Sequence, residues 1–330
     1  MDSAEKVYAT QNNSIRAKLA QQASAIDEAE YVKNDDQLST NIKSLTQLIE
    51  KPLDQTHVLE ISELLIQSEE TRSLNFLMID CVADEVTDSE YDNAIDHGKN
   101  KWVEAGLRML SVYNKLSTLE CVTDEMKWNV FVKSATFTLI SPILELKKTK
   151  VLYFLNQISK KFTNTKDHIL VRVLSKIGDL KIIDFQLYSE YLAFIVSEIH
   201  QQHPPGLLTF LNILPQNIIQ RHLFQSIFEY NVFAASSVYS TITLNNLFNR
   251  NFGFDEATVS TTRILALLTN MIISGRLHAK INLKDNILFF DLEDWDHHEH
   301  ANTVIINWQK WYMNEVLGKV GSISDEISQL

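Results

Sequence analysis

The sequence predicts a mainly α chain: a helical-repeat (solenoid) array, then a small winged-helix module, then one C-terminal helix. Three observations predict it. Glycine and proline number only eight and five in 330 residues, and Pro52 is the sole breaker of either kind before Gly98. Scarcity of both favours long helical stretches. Apolar residues recur at helical spacing at Val58, Ile61 and Leu65, at Val103, Leu107 and Leu110, and at Leu152, Leu155 and Ile158, each set marking one buried stripe. Strand-like segments gather instead near residues 277–290, where two short apolar runs flank the turn residues Lys284-Asp285-Asn286.

The elements follow in order. Residues 1–130 form an N-terminal arm; its first thirty residues, rich in Gln, Ser and Ala, are open between a helix and a partly ordered tail. A run of short helices is expected from near residue 37 to about residue 222, each pair burying its stripe on the next. Pro142 separates two helices, because proline lacks an amide donor and biases Ser141 away from helical backbone. Gly178-Asp179 and His203-Pro204-Pro205-Gly206 supply similar breaks. Residues 131–222 are the helical part of a second domain, and residues 223–291 are its winged-helix part.

That part reads as a helix ending near Glu229-Tyr230-Asn231, a segment Tyr239–Thr243, and a short helix through Leu244, Leu247 and Phe248. A turn at Asn251-Phe252-Gly253 follows, then a helix of about 255–274 stopped by Gly275. Strands Leu277–Ile281 and Ile287–Phe290 close it. Leu277, Ala279 and Ile281 would bury one face on the preceding helix. The second strand is apolar at every position, which at a sheet edge invites pairing with another sheet; Phe289 and Ile281 are assigned to internal packing, and Leu288 and Phe290 to partner contact. Beyond a polar break, Ile305, Trp308, Tyr312, Val316, Val320 and Ile323 recur at three- and four-residue steps. They mark 292–330 as a helix suited to a bundle with partner helices.

Composition narrows the chemistry. A net charge of −12 repels nucleic-acid phosphates, and no basic patch offsets it. The helix at 255–274 carries one cation, Arg263, where a major-groove reader needs several. Cys81 and Cys121 are too few for a disulfide framework or a metal knuckle. With no signal-like start and no apolar run of membrane length, the reading is cytoplasmic and nuclear. His298-Glu299-His300 resembles the start of a metalloprotease zinc site, yet the serine and aspartate needed downstream are missing, so no metal ligand is assigned. Asp88-Ser89-Glu90-Tyr91-Asp92-Asn93 fails as a calcium loop, because the sixth position is not glycine and the twelfth, Lys99, is not glutamate. The acidic run 80–96 reads as a solvated face. No phosphate loop, nucleophile elbow or Cys-His pairing can be assembled. No cofactor and no catalytic residue is expected.

Ile227-Phe228-Glu229-Tyr230-Asn231-Val232-Phe233-Ala234-Ala235-Ser236, followed by Tyr239 and Ile242-Thr243, resembles the PCI domain shared by the proteasome lid, the COP-nine signalosome and translation initiation factor three. Ser274–Asn282 resembles its usual close, in which a helix ends at a small residue and a wing strand begins. The family's glutamate, histidine, asparagine trio reads Glu229, Tyr230, Asn231 here, so the middle position departs. Within the family Ser134–Ser141 resembles the helix before the PCI core in both the signalosome and the lid members, while the small residues 234–237 and the terminal helix around Trp308 lean the likeness first to the signalosome and next to the lid. The resemblance implies a non-catalytic scaffold whose winged helix joins others edge to edge and whose last helix enters a shared bundle. Implied partners are other PCI subunits, a metalloprotease-type isopeptidase subunit that removes a ubiquitin-like modifier from cullins, and cullin-RING ligases. The arm ahead of the PCI core is shorter than usual in the family, which leaves the ligase contact the least supported part.

Overall fold

The computed structural model describes residues 3–21, 28–51, 54–86, 101–144, 146–162, 165–201, 203–253 and 261–290. The chain is mainly helical, with one small three-stranded sheet. Ten α-helices are described: α1 (Ser3–Gln21), α2 (Glu28–Ile49), α3 (Gln55–Val86), α4 (Lys101–Ser117), α5 (Asp124–Ile140), α6 (Leu146–Ser159), α7 (Ile169–Gly178), α8 (Phe185–His200), α9 (Gln216–Ser236) and α10 (Thr261–Ile273). A 3-10 turn at Thr209–Ile213 and a π-helical segment at Asn246–Phe252 are also among the described elements. The strands are β1 (Thr241–Thr243), β2 (Ala279–Asn282) and β3 (Ile287–Phe290).

The amino-terminal helices begin earlier and run longer than the spacing predicted. Helix occupies Ser3–Gln21, and α3 extends over 32 residues, because nothing between Pro52 and Gly98 interrupts it. The breaks expected at Pro142 and Gly178 fall between α5 and α6 and at the end of α7.

By compactness the described residues divide into two units that interleave along the sequence: those within 1–142, 160–170 and 189–224 form one, and those within 143–159, 171–188 and 225–290 the other. In the first, α2 packs on α3, α3 on α4 and α4 on α5, with α1 also against α3. The predicted stripe Val58, Ile61 and Leu65 is buried, as are Val103 and Leu110, while Leu107 is half-buried. Thr123 caps α5 by accepting the Met126 amide at 3.2 Å, and Asp124 and Glu125 occupy its first turn, where carboxylates suit the helix dipole. From Ser134 to Ile140 every α5 residue is buried.

Such a helix must satisfy its own hydroxyls, and it does. Ser134 donates to the Gly106 carbonyl at 2.8 Å, Thr138 donates to the Ser134 carbonyl at 2.9 Å, and Tyr191 donates to the Thr136 hydroxyl at 3.3 Å. Gly106 is required at this crossing, since a Cβ there would lie 2.3 Å from Thr138 Oγ1. Charged groups tie the outer helices: Arg16 of α1 and Lys133 of α5 both pair with the buried Glu70 of α3, and Arg72 pairs with Asp35 of α2.

The second unit holds α6, most of α7, the start of α8, the later half of α9 and all three strands. Leu152, Leu155 and Ile158 form the buried stripe of α6. Phe228, Phe248 and Phe252 pack with ring centroids 6.0 to 6.1 Å apart and carry the π-helical segment against α9. Gly253 ends that segment at φ 68°, a left-handed value that glycine adopts without steric cost. α10 ends just ahead of Gly275, as the sequence predicted; residues 254–260, where it was expected to begin, lie outside the described residues. In the hairpin turn, the Asn282 side chain accepts from the Lys284 and Asp285 amides at 3.0 and 3.3 Å, an Asx-type turn.

Candidate assembly interface

Three consecutive residues of α9 organise the second unit. Successive helical residues point about 100° apart, so Glu229, Tyr230 and Asn231 reach three different chain segments. Glu229, fully buried, accepts the Leu144 amide at 2.9 Å, the Gln225 side-chain amide at 3.2 Å and the Arg276 guanidinium. It thereby joins the connection after Pro142 to the residues leading into β2. A charge-assisted bond of this kind is stronger than a neutral one.

Tyr230 points its hydroxyl at the end of α7, 3.1 Å from the carbonyls of Lys176 and Lys181. Terminal helix carbonyls lack intrahelical donors, and the phenol supplies one. Burial first, and the nearby Asp179 second, push its pKa well above the usual tyrosine value, so it stays a neutral donor. Leu180 beside it holds φ 54°, an uncommon conformation for a residue with a Cβ. Asn231 pairs with Ile183 as a strand neighbour would: its side-chain oxygen accepts the Ile183 amide at 2.9 Å, and its nitrogen donates to the Ile183 carbonyl at 2.7 Å. The trio thus works as structural polar glue. A small apolar hollow lies beside it, lined by Leu144, Leu152, Tyr153, Gly178 and Leu180 among others; its space is on the scale of a single water.

The sheet that follows is antiparallel in the order β1, β3, β2. Thr241, Ile242 and Thr243 pair with Phe289, Leu288 and Ile287, and Ala279 to Asn282 pair with Phe290 to Ile287. Two sequence expectations are corrected here. Ile287–Phe290 is the central strand, not an edge; β1 and β2 are the edges of the described sheet. Leu288 and Phe290, assigned to a partner, are 0% and 5% exposed and face inward with Ile242 and Ala279. Phe289, assigned to the interior, is 39% exposed. Adjacent strand residues face opposite ways, so Phe289 stands between Thr241 and Lys280 on the outer face, with half-buried Ile287 next along it. Ile281 is half-buried on the inner side opposite Leu288.

The remaining interface residues predicted from sequence, Ile305, Trp308, Tyr312, Val316, Val320 and Ile323, lie outside the described residues, as do His298-Glu299-His300 and the loop 88–99. Within α10 the one cation, Arg263, is half-buried and close enough to Tyr188 to offset part of the rise that burial imposes, a phenol pushed up to about 12. Sequence reasoning missed Arg276 as the partner of Glu229 and Ile183 as the partner of Asn231. The trio itself was visible; its partners sit 47 and 48 residues away, beyond any local pattern. No protein-family model matches the chain, and no curated protein matches it.

Proposed function

We propose that the chain is a non-catalytic PCI-type scaffold subunit, a counterpart of subunit four of the COP-nine signalosome, that supports removal of a ubiquitin-like modifier from cullins by a partner isopeptidase. The observation that carries this reading is the order helix, strand, helix, helix, hairpin with the sheet arranged β1, β3, β2, set on a buried Glu229-Tyr230-Asn231 at the position of the family's polar trio. A winged helix is built in this order. From α2 to α5 each helix packs on the next, as in a degenerate repeat array.

In this reading the edges β1 and β2 are where a neighbouring winged helix adds its own strand, and the outer face around Phe289 lies next to that joint. The stripe from Ile305 to Ile323 enters the shared bundle. Other PCI subunits and the metalloprotease-type isopeptidase are the partners, with cullin-RING ligases beyond them, in cytoplasm and nucleus. A nucleic-acid adaptor is the contrasting class. Its recognition helix would be α10, whose single cation is half-buried against Tyr188, too little charge for a phosphate-driven interaction.

Affinity purification of the tagged chain at endogenous level, followed by mass spectrometry after a moderate salt wash, tests the proposal. Recovery with an isopeptidase and PCI subunits but without proteasome ATPases is the expected result. Recovery with the ATPases moves the chain to the proteasome lid, where the Lys280-Ile281 strand fits equally well. A lone monomer overturns both.

A further inference from the structure

Glu69, Arg72, Ser73 and Phe76 recur at three- and four-residue steps on α3 and so share one face of it. Asp35 of α2 and Arg108 of α4 meet that face, all within the first unit. Arg72 forks onto Asp35, with Nε 2.8 Å from Oδ1 and Nη2 3.1 Å from Oδ2. Arg108 lies over the Phe76 ring, 4.7 Å from its centroid. Its Nη1 is 3.9 Å from Asp35 Oδ1, in range of the charge but too long for a hydrogen bond. Glu69 is 3% exposed, and its Oε1 is buried with no hydrogen-bond partner, as are Arg108 Nη1 and Ser73 Oγ. Further charges stand close: Asp36 beside Asp35 on α2, and Lys101 and Glu104 with Arg108 on α4. The cations arriving from α1 and α5, Arg16 and Lys133, pair with Glu70 instead.

A buried carboxylate with two guanidiniums in reach should hold one of them, because an unpaired ion in the interior is costly. Glu69 holds neither. That is the arrangement of a neutral carboxylic acid. We propose that Glu69 is a proton-operated latch: protonated, it lets α2, α3 and α4 pack as they stand, and ionised, it draws Arg108 away from Asp35 and Phe76 and loosens α4 at that face. Burial raises the pKa of Glu69 above the ordinary glutamate value, with Arg72 and Arg108 opposing and Asp35 adding to the rise. Burial first, and Arg72 second, lower that of Arg108, a cation short of counter-charge where it lies. The folded chain thus holds the Glu69 proton more tightly than the unfolded chain does. Its contribution to stability is fully present below the ordinary glutamate value and is lost as pH rises through the raised one. The latch lies in α2 to α4 and does not rest on the scaffold reading.

Hydrogen exchange on the full chain reads the latch. Peptides from α2 and α4 are followed from about pH 5 to about pH 8, with rates corrected for the intrinsic pH dependence of exchange. Protection in both should fall by more than about threefold as pH rises. His168 acts in the opposite direction, since its protonation loosens the fold in acid. Glu69→Gln, which keeps the shape of the neutral acid, should stay protected and lose the step. Arg108→Met takes away a cation that favours ionisation, so its step should move to higher pH. An infrared band of a protonated carboxyl should vanish across the step and be missing from Glu69→Gln. A flat profile in the unmodified protein, an equal fall in Glu69→Gln, an unmoved step in Arg108→Met or no such band overturns the proposal. So does failure of Glu69→Gln to fold, since a neutral side chain is what the packing requires.

Discussion

The Glu229–Arg276 pair offers the sharpest test of how the second unit is held. Its side chains are 1% and 14% exposed, so water replaces little of what either would lose. In Arg276→Met the carboxylate keeps the Leu144 amide and Gln225 but is left as a buried charge with no guanidinium. Removing one member of a buried pair costs about 3–5 kcal/mol. In Glu229→Gln the charge disappears from the other side, stranding Arg276 at the junction into β2. At about 1.4 kcal/mol per factor of ten, this predicts a drop of roughly a hundredfold to a thousandfold or more in the amide protection of β2 and β3. Hydrogen exchange followed by mass spectrometry on peptides spanning 274–290 reads it, with α5 peptides as the internal control. Combining the two substitutions should cost much less than their sum. Protection in either single variant within a factor of three of the unmodified protein, or an additive double variant, would refute the reasoning.

Gly106→Ala drives a methyl into Thr138 and should cost about 1–3 kcal/mol; the cost should shrink in a Thr138→Ala background, where the atom 2.3 Å away is gone, as urea denaturation would measure. His168 sits between Trp128 and Phe194, with ring centroids 5.0 and 4.9 Å away, and its Nδ1 accepts the Leu170 amide at 3.2 Å. Burial lowers its pKa, with Glu198 opposing, so the unfolded chain takes the proton first. Stability should then fall as pH drops below about 6.5 toward the lower folded value, and His168→Asn, which keeps an acceptor, should flatten that slope in melts run from pH 8 to 5. For the sheet, Leu288→Ser should lower the melting temperature by removing a buried side chain, about 2 kcal/mol or more. Phe289→Ser should leave the melt nearly unchanged while reducing recovery of partners in the purification.

Helix positions were legible because their signals are local. Pro142 ends α5 by its missing amide, and Val58, Ile61 and Leu65 mark their own buried face. The face of β3 was not legible. Ile287-Leu288-Phe289-Phe290 has no polar position to set its parity, and a shift of one residue exchanges inside for outside. Its central place was hidden for a related reason: β1 has only three residues and pairs across more than forty intervening positions. The same distance hid the partners of Glu229 and Asn231. The Arg16–Glu70–Lys133 network escaped as well, since charge spacing along one helix says nothing about cations arriving from α1 and α5.

A buried polar trio is a costly way to gain stability, because an apolar cluster of equal volume often does as well. What it adds is direction. Asn231 fits Ile183 in one register, and Glu229 accepts Arg276 only when the residues before β2 sit at one height along α9. Under the proposed scaffold function, sheet edges offered to neighbours would need that height fixed more than the chain would need extra stability. Replacing the pair with uncharged residues, Glu229→Gln with Arg276→Met, keeps an acceptor for the Leu144 amide and separates the two quantities. The double variant should melt within a few degrees of the unmodified protein, yet be recovered with fewer partners. If it assembles fully, the trio serves stability alone, and the joint proposed at β1 and β2 tolerates a loosely set sheet.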